Sequence, residues 1–374
     1  MQFKQIIGQH FIKQKLIAMA QTGRISHTQL FLGSEGSGNL ALALAYAQYV
    51  NCLNQLAEDS CGTCSSCVKF EKLIHPDLHF TVPTISPYKQ TKEIIEEWRE
   101  ALMANPYIND FNWLQTIDNN ANKQGNITAE ECRSIINRLS LTSYEAKFKT
   151  QIIWLPEYLH LSGNIILKLL EEPPVGTLII LVANNTEKVL ATILSRAQTI
   201  KIPKLTDQDI TEALVNIHQC EPQKASDISR LADGDYHLAM SLMSMDQEGY
   251  FNSYSSWMRF CFSGKVGELQ KWVDEMAGSG REYVKNFLGY TIQMMRAAFL
   301  LKYGEANLVR VNSTERQFLE KFSSFLNANN LSPILQHIDE AVVAVERNAN
   351  LKILFLNLSL YIGTQLKQAQ KGTA

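Results

Sequence analysis

Four of the seven cysteines in this 374-residue sequence lie close together, at Cys52, Cys61, Cys64 and Cys67. Thiolates are zinc ligands, and four of them close a tetrahedral shell that leaves no position open for a substrate. Two consecutive two-residue spacings let the last three sulfurs turn around one ion, and Cys52 supplies the fourth. We therefore expect a structural zinc site. The alternatives are four free cysteines in a loop, or an iron–sulfur cluster, which more often uses other spacings.

A glycine-rich segment joins a predicted strand, Gln29 to Leu32, to a predicted helix. It reads Gly33-Ser34-Glu35-Gly36-Ser37-Gly38-Asn39-Leu40. In a phosphate-binding loop, backbone N–H groups wrap the phosphates, a lysine contacts the β- and γ-phosphates, and a Ser or Thr hydroxyl holds magnesium. Asn39 and Leu40 stand at those two side-chain positions, so ATP is not expected to bind. An ordinary glycine-rich turn without ATP ancestry is the alternative.

The end of a later predicted strand, Gln151 to Leu155, is where such proteins place an acidic magnesium ligand. Pro156 stands at that position, and only Glu157 follows it. Without a lysine, a hydroxyl and an aspartate, Glu157 has no nucleotide-bound metal to work beside. We expect it to serve as a helix N-terminal or surface carboxylate.

Charge and composition exclude several classes of protein. A formal net charge of −2 argues against a protein that coats nucleic acid by itself, because such binding rests on phosphate neutralisation by Lys and Arg. The apolar runs fall short of the ~20 residues that a membrane span needs. The first residues lack the apolar core of a secretory signal. The sequence predicts a cytoplasmic protein with no membrane contact.

The first two hundred residues alternate apolar strands with amphipathic helices, which predicts an α/β domain with a largely parallel sheet over residues 1–203. The predicted strands are Gln29 to Leu32, Leu78 to Val82, Gln151 to Leu155, Thr177 to Ala183 and Gln198 to Ile202. The predicted helices between them are His10 to Gln21, Asn39 to Cys52, Thr128 to Ser140 and Tyr158 to Glu172.

Beyond Pro203 only helical periodicity remains. Glycine-containing turns divide this part into a short three-helix unit, 204–246, and a bundle of about five helices, 247–374. The three predicted helices are Asp207 to His218, Gln223 to Leu231 and Tyr236 to Met245. Residues 85–125, which end in a polar run from Asp118 to Gly125, form a predicted insertion that is partly helical and partly loop.

Seven motifs occur in order along the chain and together resemble the bacterial clamp-loader family. They are Ile6-Ile7-Gly8-Gln9, Arg24-Ile25-Ser26-His27, the glycine loop, the four cysteines, His75-Pro76-Asp77, the segment from Ile165 to Pro174, and Ile193-Leu194-Ser195-Arg196. The resemblance implies an AAA+ module in which the α/β domain is followed by a helical lid, and then a helical collar that packs subunits into a ring.

The resemblance also implies partners and site residues. The partners are delta and the ATP-hydrolysing gamma/tau subunits, with the sliding clamp and primed DNA reached through the complex. Arg196 inherits the role of an arginine finger that acts on a neighbour's ATP, although Ala197 replaces the usual cysteine after it. Taken alone, such an arginine is more often a surface ion pair. His237 stands where active members place an arginine near the γ-phosphate.

Departures from the ATPase pattern thus fall at Asn39, Leu40, Pro156 and His237. We therefore expect a non-hydrolysing structural subunit of the loader. Two alternatives remain: an ATP-hydrolysing gamma/tau-type subunit with unusual ligands, and a zinc-containing DNA-binding protein on a similar scaffold. The missing lysine opposes the first alternative, and the near-neutral charge opposes the second.

Overall fold

The structure is a computed structural model that describes residues 1–118, 125–244, 247–304, 309, 311 and 313–371. Most of the polar run at the end of the predicted insertion, residues 119–124, lies outside the described residues, as does Met245. The chain divides into an N-terminal unit, Met1–Pro222 with Ala232–Met240, and a C-terminal unit, Gln223–Leu231 with Ser241–Ala374. The division into 1–203, 204–246 and 247–374 remains a prediction.

A five-stranded parallel sheet forms the centre of the N-terminal unit, which confirms the predicted α/β class. Its strands are β1 (Thr28–Leu32), β2 (Leu78–Thr81), β3 (Lys149–Trp154), β4 (Thr177–Ala183) and β5 (Gln198–Lys201). Their order in the sheet is β2-β3-β4-β1-β5. Every residue of β4 is buried, as expected for a central parallel strand covered on both faces.

Before residue 245 the structure describes eleven α-helices: α1 (His10–Gln21), α2 (Asn39–Val50), α3 (Ser65–Glu71), α4 (Ile95–Ala104), α5 (Asp110–Ile117), α6 (Ala129–Ser140), α7 (Leu167–Glu171), α8 (Ala191–Leu194), α9 (Asp207–His218), α10 (Pro222–Ala232) and α11 (Tyr236–Ser244). Helices α1, α2, α6, α9 and α10 begin and end within two residues of the predicted bounds. Short 3-10 helices occupy Phe3–Gln5, Thr91–Ile94, Pro156–Ile166 and Thr186–Lys188. All of α2 is buried, as its Ala- and Leu-rich sequence requires.

The predicted helix from Tyr158 to Glu172 is wrong. The chain instead forms the 3-10 helix Pro156–Ile166, interrupted at His160 (φ 43°, ψ −138°), and only then the short α7. The apolar spacing that suggested one helix does bury Leu159, Ile166 and Leu170 in the core. The predicted apolar side chains are therefore buried, but the backbone does not form one α-helix, because the segment starts at Pro156 and is interrupted at His160.

Six α-helices follow in the last part of the chain that the structure describes, one more than the predicted five. They are α12 (Gln247–Ser263), α13 (Val266–Gly278), α14 (Arg281–Lys302), α15 (Ser313–Phe322), α16 (Ala328–Glu346) and α17 (Leu351–Lys371). Aromatic rings fill their core, where Trp257 stacks on Trp272 at 5.1 Å and Phe355 meets both edge-on. Among the described residues, no helix is both long enough and apolar enough to cross a bilayer.

Two helices of the predicted insertion are fixed to the sheet by tryptophans. The Trp98 ring of α4 lies 4.9 Å from the Trp113 ring of α5 and 5.0 Å from the Trp154 ring at the end of β3. Trp113 Nε1 donates to Pro83 O at 2.8 Å. All three indoles are almost fully buried. The α4–α5 hairpin is therefore part of the core of the N-terminal unit.

Candidate functional site

The glycine-rich loop leaves the carboxyl end of β1 beside the end of β4. Leu32 pairs with Ala183 in the parallel register, and Gly33 N donates to Ala183 O at 3.2 Å. This edge of a parallel sheet, at a point where neighbouring strands connect in opposite directions, is where ligands of such folds bind. The loop thus has the strand–loop–helix setting that the sequence predicts.

Two glycines of the loop allow other side chains to pack on its backbone. Gly36 and Gly38 adopt left-handed φ values of 66° and 88°, which glycine accepts without strain. A Cβ on Gly36 would lie 1.8 Å from Asp235 Oδ1, and one on Gly38 would lie 3.1 Å from Tyr107 Cε1. A carboxylate therefore lies against the loop, where it opposes a phosphate by like-charge repulsion.

The Asn39 side chain turns back onto the sheet edge. Its Nδ2 donates to Gly33 O at 3.0 Å, Ala183 O at 3.3 Å and Asn184 Oδ1 at 3.1 Å. Its Oδ1 accepts from Leu40 N at 2.8 Å. Leu40 itself is buried. At the two positions that would contact phosphate and magnesium, the chain thus presents a fully bonded neutral amide and an alkyl group.

The end of β3 carries the other predicted defect. Leu155 adopts a left-handed conformation (φ 56°), and Pro156 begins the 3-10 helix. Glu157 follows at the N-terminus of that helix, one of its two expected roles, but it is buried and not at the surface. Its Oε1 accepts from Asn184 N at 2.6 Å and Asn185 N at 2.9 Å. Burial raises the pKa of this carboxyl, against the effect of those donors.

His237 lies between two amides of the predicted insertion. Asn105 Nδ2 is 3.2 Å from its Nδ1, and Asn112 Nδ2 is 3.0 Å from its Nε2. Asn105 Oδ1 accepts from Tyr107 N at 2.9 Å, which fixes the Asn105 amide and makes His237 Nδ1 an acceptor. Turning the Asn112 amide over lets its buried Oδ1 accept from Nε2–H. At this position the chain thus presents an imidazole held by two amides in place of an arginine.

Tyr107 joins the loop to two other segments. Its Oη accepts from Ile7 N at 2.9 Å in a buried hydrogen bond. Its ring meets the Tyr236 ring edge-on, with centroids 4.9 Å apart. Burial raises the pKa of the Tyr107 phenol, so the hydroxyl stays protonated. Tyr107 thus contacts the loop, the N-terminal segment and the start of α11.

The four predicted cysteines do come together. Their sulfurs lie within 4.8 Å of one another, with Cys52 Sγ 3.6 Å and Cys67 Sγ 3.9 Å from Cys61 Sγ. Four sulfurs about 2.3 Å from one zinc ion would lie about 3.8 Å apart in a tetrahedron. Backbone N–H groups of Cys61, Cys64 and Cys67 donate to the sulfurs of the preceding members of the set at 3.3 to 3.4 Å. The geometry and the donor set fit a structural zinc ion.

The local environment shifts the pKa values of the cysteine thiols in opposite directions. Backbone N–H groups of Thr63 and Cys64 lower the pKa of Cys61 to about 6. Burial raises the pKa of Cys52 and that of Cys67. A cation at the centre would offset that burial cost by stabilising the thiolates, so metal binding would release protons.

The cysteine-containing segment also holds the start of the chain. Asp59 accepts from Phe3 N and Lys4 N, both at 3.0 Å, and Gln2 Nε2 donates to Ser60 O at 2.6 Å. Gln9 Nε2 then donates to Ser37 O of the glycine loop at 3.0 Å. The N-terminal segment therefore links the cysteine cluster to the loop.

Arg196 lies between α8 and β5, at the edge of the sheet. Its Nε is 3.1 Å from Glu171 Oε2, and its Nη1 donates to Thr192 O at 3.0 Å. The arginine side chain is 31% exposed and the glutamate side chain 59% exposed. An ion pair this exposed contributes only about 0–1 kcal/mol. Arg196 is thus positioned by contacts that a stronger anionic partner could displace.

Sequence reasoning missed the residues that cover the loop. Tyr107, Asn105 and Asn112 belong to the insertion, which no motif explained, and no motif position pointed to Asp235. Ile7 and Tyr107 are separated by 100 positions, so only the folded chain brings them together. The dipeptide Asn105-Pro106 is a turn signal, but it does not show what the turn contacts.

The candidate site thus combines a glycine-rich strand–loop–helix segment at the edge of a parallel sheet with a cluster of four cysteines. The family model described as "DNA polymerase III, delta subunit" matches residues 8–206, more than half of the chain. The chain therefore belongs to this DNA polymerase III family of clamp-loader subunits.

The relatives are subunits of the same type at low identity. DNA polymerase III subunit tau of Salmonella typhimurium is 26% identical over 64% of this chain and 32% of its own length. Subunit gamma/tau of Mycoplasma genitalium is 25% identical over 95% of this chain and 55% of its own length. Subunit delta' of Bacillus subtilis is 27% identical over 51% of this chain and 46% of its own length. In these matches the chain spans between about a third and about half of each relative.

Proposed function

We propose that this chain is a delta-prime-type subunit of the DNA polymerase III clamp loader, one that neither binds nor hydrolyses ATP. One observation carries the proposal: the chain's own side chains take up the phosphate site. Asn39 is bonded to the sheet edge, Leu40 is buried, and Tyr107 and Asp235 pack on the loop glycines. An ATPase needs a lysine and a magnesium ligand at the first two positions.

In this role the chain contributes Arg196 to a neighbour. A guanidinium placed beside another subunit's γ-phosphate stabilises charge in the transition state of hydrolysis, which is worth several orders of magnitude in rate in related systems. The exposed pair with Glu171 costs little to break. Breaking the ion pair with Glu171 would therefore cost about 1 kcal/mol or less, and the hydrogen bond to Thr192 O would add about 1 kcal/mol.

The remaining parts of the proposal concern assembly. The cysteine cluster holds a structural zinc ion, and residues 204–246 and 247–374 act as lid and collar. Gamma/tau and delta are the proposed partners, with the sliding clamp and primed DNA reached through the complex. The clamp-loader family of the relatives supports this assignment.

A gamma/tau-type ATPase is the main rival, since several relatives carry that name. The two are separated by a loader reconstituted from this chain with gamma/tau and delta. Replacing Arg196 with Ala should slow ATP turnover at least 10-fold at the neighbouring site while assembly persists, and Arg196→Lys should restore little because it lacks the planar fork. Arg133, an exposed arginine of α6 outside the proposed lid and collar, is the matched control, and Arg133→Ala should leave turnover unchanged.

An unchanged rate in the Arg196→Ala loader, with assembly shown intact by gel filtration, rejects the arginine-finger role. Hydrolysis by this chain alone rejects the non-hydrolysing role and favours the rival.

A further inference from the structure

The turn of the α4–α5 hairpin packs against the glycine loop. Its inner face is fixed by the Trp98, Trp113 and Trp154 rings at centroid distances of 4.9 and 5.0 Å. The turn between its helices carries Tyr107, which is 7% exposed. A turn held by this much buried aromatic surface keeps its position without a ligand.

Three segments that are distant in sequence meet at that turn. Tyr107 contacts the N-terminal segment through Ile7 N and lies 3.1 Å from the place of a Cβ on Gly38. It also packs on Tyr236. Asn105 and Asn112 hold His237, one residue further on. The hairpin therefore connects the loop to the start of α11.

The loop and the start of α11 also touch directly. Tyr236 N donates to Gly36 O at 3.2 Å, and Asp235 Oδ1 accepts from Leu238 N at 3.0 Å as the N-terminal cap of α11. In nucleotide-binding proteins of this kind, the bound phosphates are what order the segments around them. Here the contacts are made by side chains and backbone of the same chain.

We propose that the α4–α5 hairpin is an internal substitute for nucleotide: it locks the glycine loop to the segment 234–238 in one arrangement, whatever the ATP concentration. This inference rests on the proposed function, because a chain that bound ATP would have no use for the substitute. It gives the α4–α5 part of the insertion a role, namely to hold the glycine loop and the start of α11 together.

Hydrogen–deuterium exchange of the full-length chain tests the lock. In wild-type protein, peptides covering residues 33–40 and 233–238 should exchange at the same rate with and without MgATP. Tyr107→Ala should raise exchange at least 10-fold in both segments and leave β4 protected. Tyr144→Ala, which removes an 80% exposed tyrosine of the same unit, is the matched control and should change neither segment.

A second variant covers the case in which Tyr107→Ala unfolds. Asn112→Ala removes one contact to His237 without emptying the aromatic core, and it should raise exchange in 233–238 more than in β4. If neither variant changes exchange in these segments, the hairpin is not the lock, and the proposed function stands. If MgATP protects residues 33–40 of wild-type protein, the loop binds nucleotide, and both the lock and the proposed function are wrong.

Discussion

Restoring the missing lysine tests how completely the phosphate site has been lost. Asn39→Lys removes an amide whose Nδ2 donates to Gly33 O, Ala183 O and Asn184 Oδ1. Net hydrogen bonds contribute about 1 kcal/mol each, and a buried acceptor left unpaired costs about 1–3 kcal/mol. We expect the free energy of unfolding to fall by about 2–4 kcal/mol. That corresponds to a melting temperature roughly 4–16 °C lower for a unit of this size.

The lysine should not bring back ATP binding, because Leu40, Pro156 and the packing of Tyr107 and Asp235 on the loop remain. Thermal unfolding with and without MgATP is the assay. Ligand at 100 times its Kd would add about 2.7 kcal/mol of stability, a shift that is easily resolved. Asn137→Lys on the exposed face of α6 is the control and should change stability by at most about 0.5 kcal/mol. A melting temperature of Asn39→Lys that equals the wild type's, or that rises with MgATP, would refute this reasoning.

Three further predictions concern the metal cluster and two buried carboxyls. Metal analysis should find about one zinc per chain. Cys64→Ser should lose this zinc, and the N-terminal residues bonded to the cysteine-containing segment should then exchange their amide hydrogens faster. A wild-type protein that is equally stable without metal would contradict the zinc site. Burial raises the pKa of Asp77, but backbone N–H groups of residues 144–146 outweigh it and lower the pKa below its ordinary 3.8. Its contribution is therefore present above about pH 4 and lost as the pH falls further, so Asp77→Asn should cost about 1–3 kcal/mol at pH 7 and less at pH 3 in denaturant unfolding. The pKa of Glu157 is raised from 4.5 by burial, so the wild type loses stability as the pH rises from about 4.5 through the folded pKa. Glu157→Gln keeps an acceptor for the two backbone donors and should lose less stability as the pH rises above about 4.5; identical pH profiles of the two proteins would rule this out.

The sequence predicted the sheet well because its strands are short apolar runs between turn residues. Thr177–Ala183 was predicted to the residue, and the other four strands to within two residues at each end. The same reasoning failed at Tyr158 to Glu172, where an apolar spacing near 3.6 residues was compatible with burial but not with the proline start and the break at His160. Periodicity reports which side chains are buried more reliably than which backbone hydrogen bonds form.

The sequence likewise predicted some residues of the candidate site and missed others. Residue types at fixed positions in a motif, such as Asn39, Leu40 and the four cysteines, were found because the chemistry of the position is known. The residues that occupy the site, Tyr107 above all, lie in an insertion without a motif and reach the loop only through long-range packing. No spacing in the sequence connects Tyr107 to Gly38, and its contact with Ile7 spans 100 positions.

Calorimetric titration of MgATP into the isolated full-length chain tests the central claim most directly. An authentic ATP-hydrolysing gamma/tau subunit under the same conditions provides the positive control. The proposal that Asn39, Leu40, Tyr107 and Asp235 have taken over the phosphate site predicts no saturable heat with this chain at millimolar ATP. One-to-one binding with a micromolar Kd would contradict it.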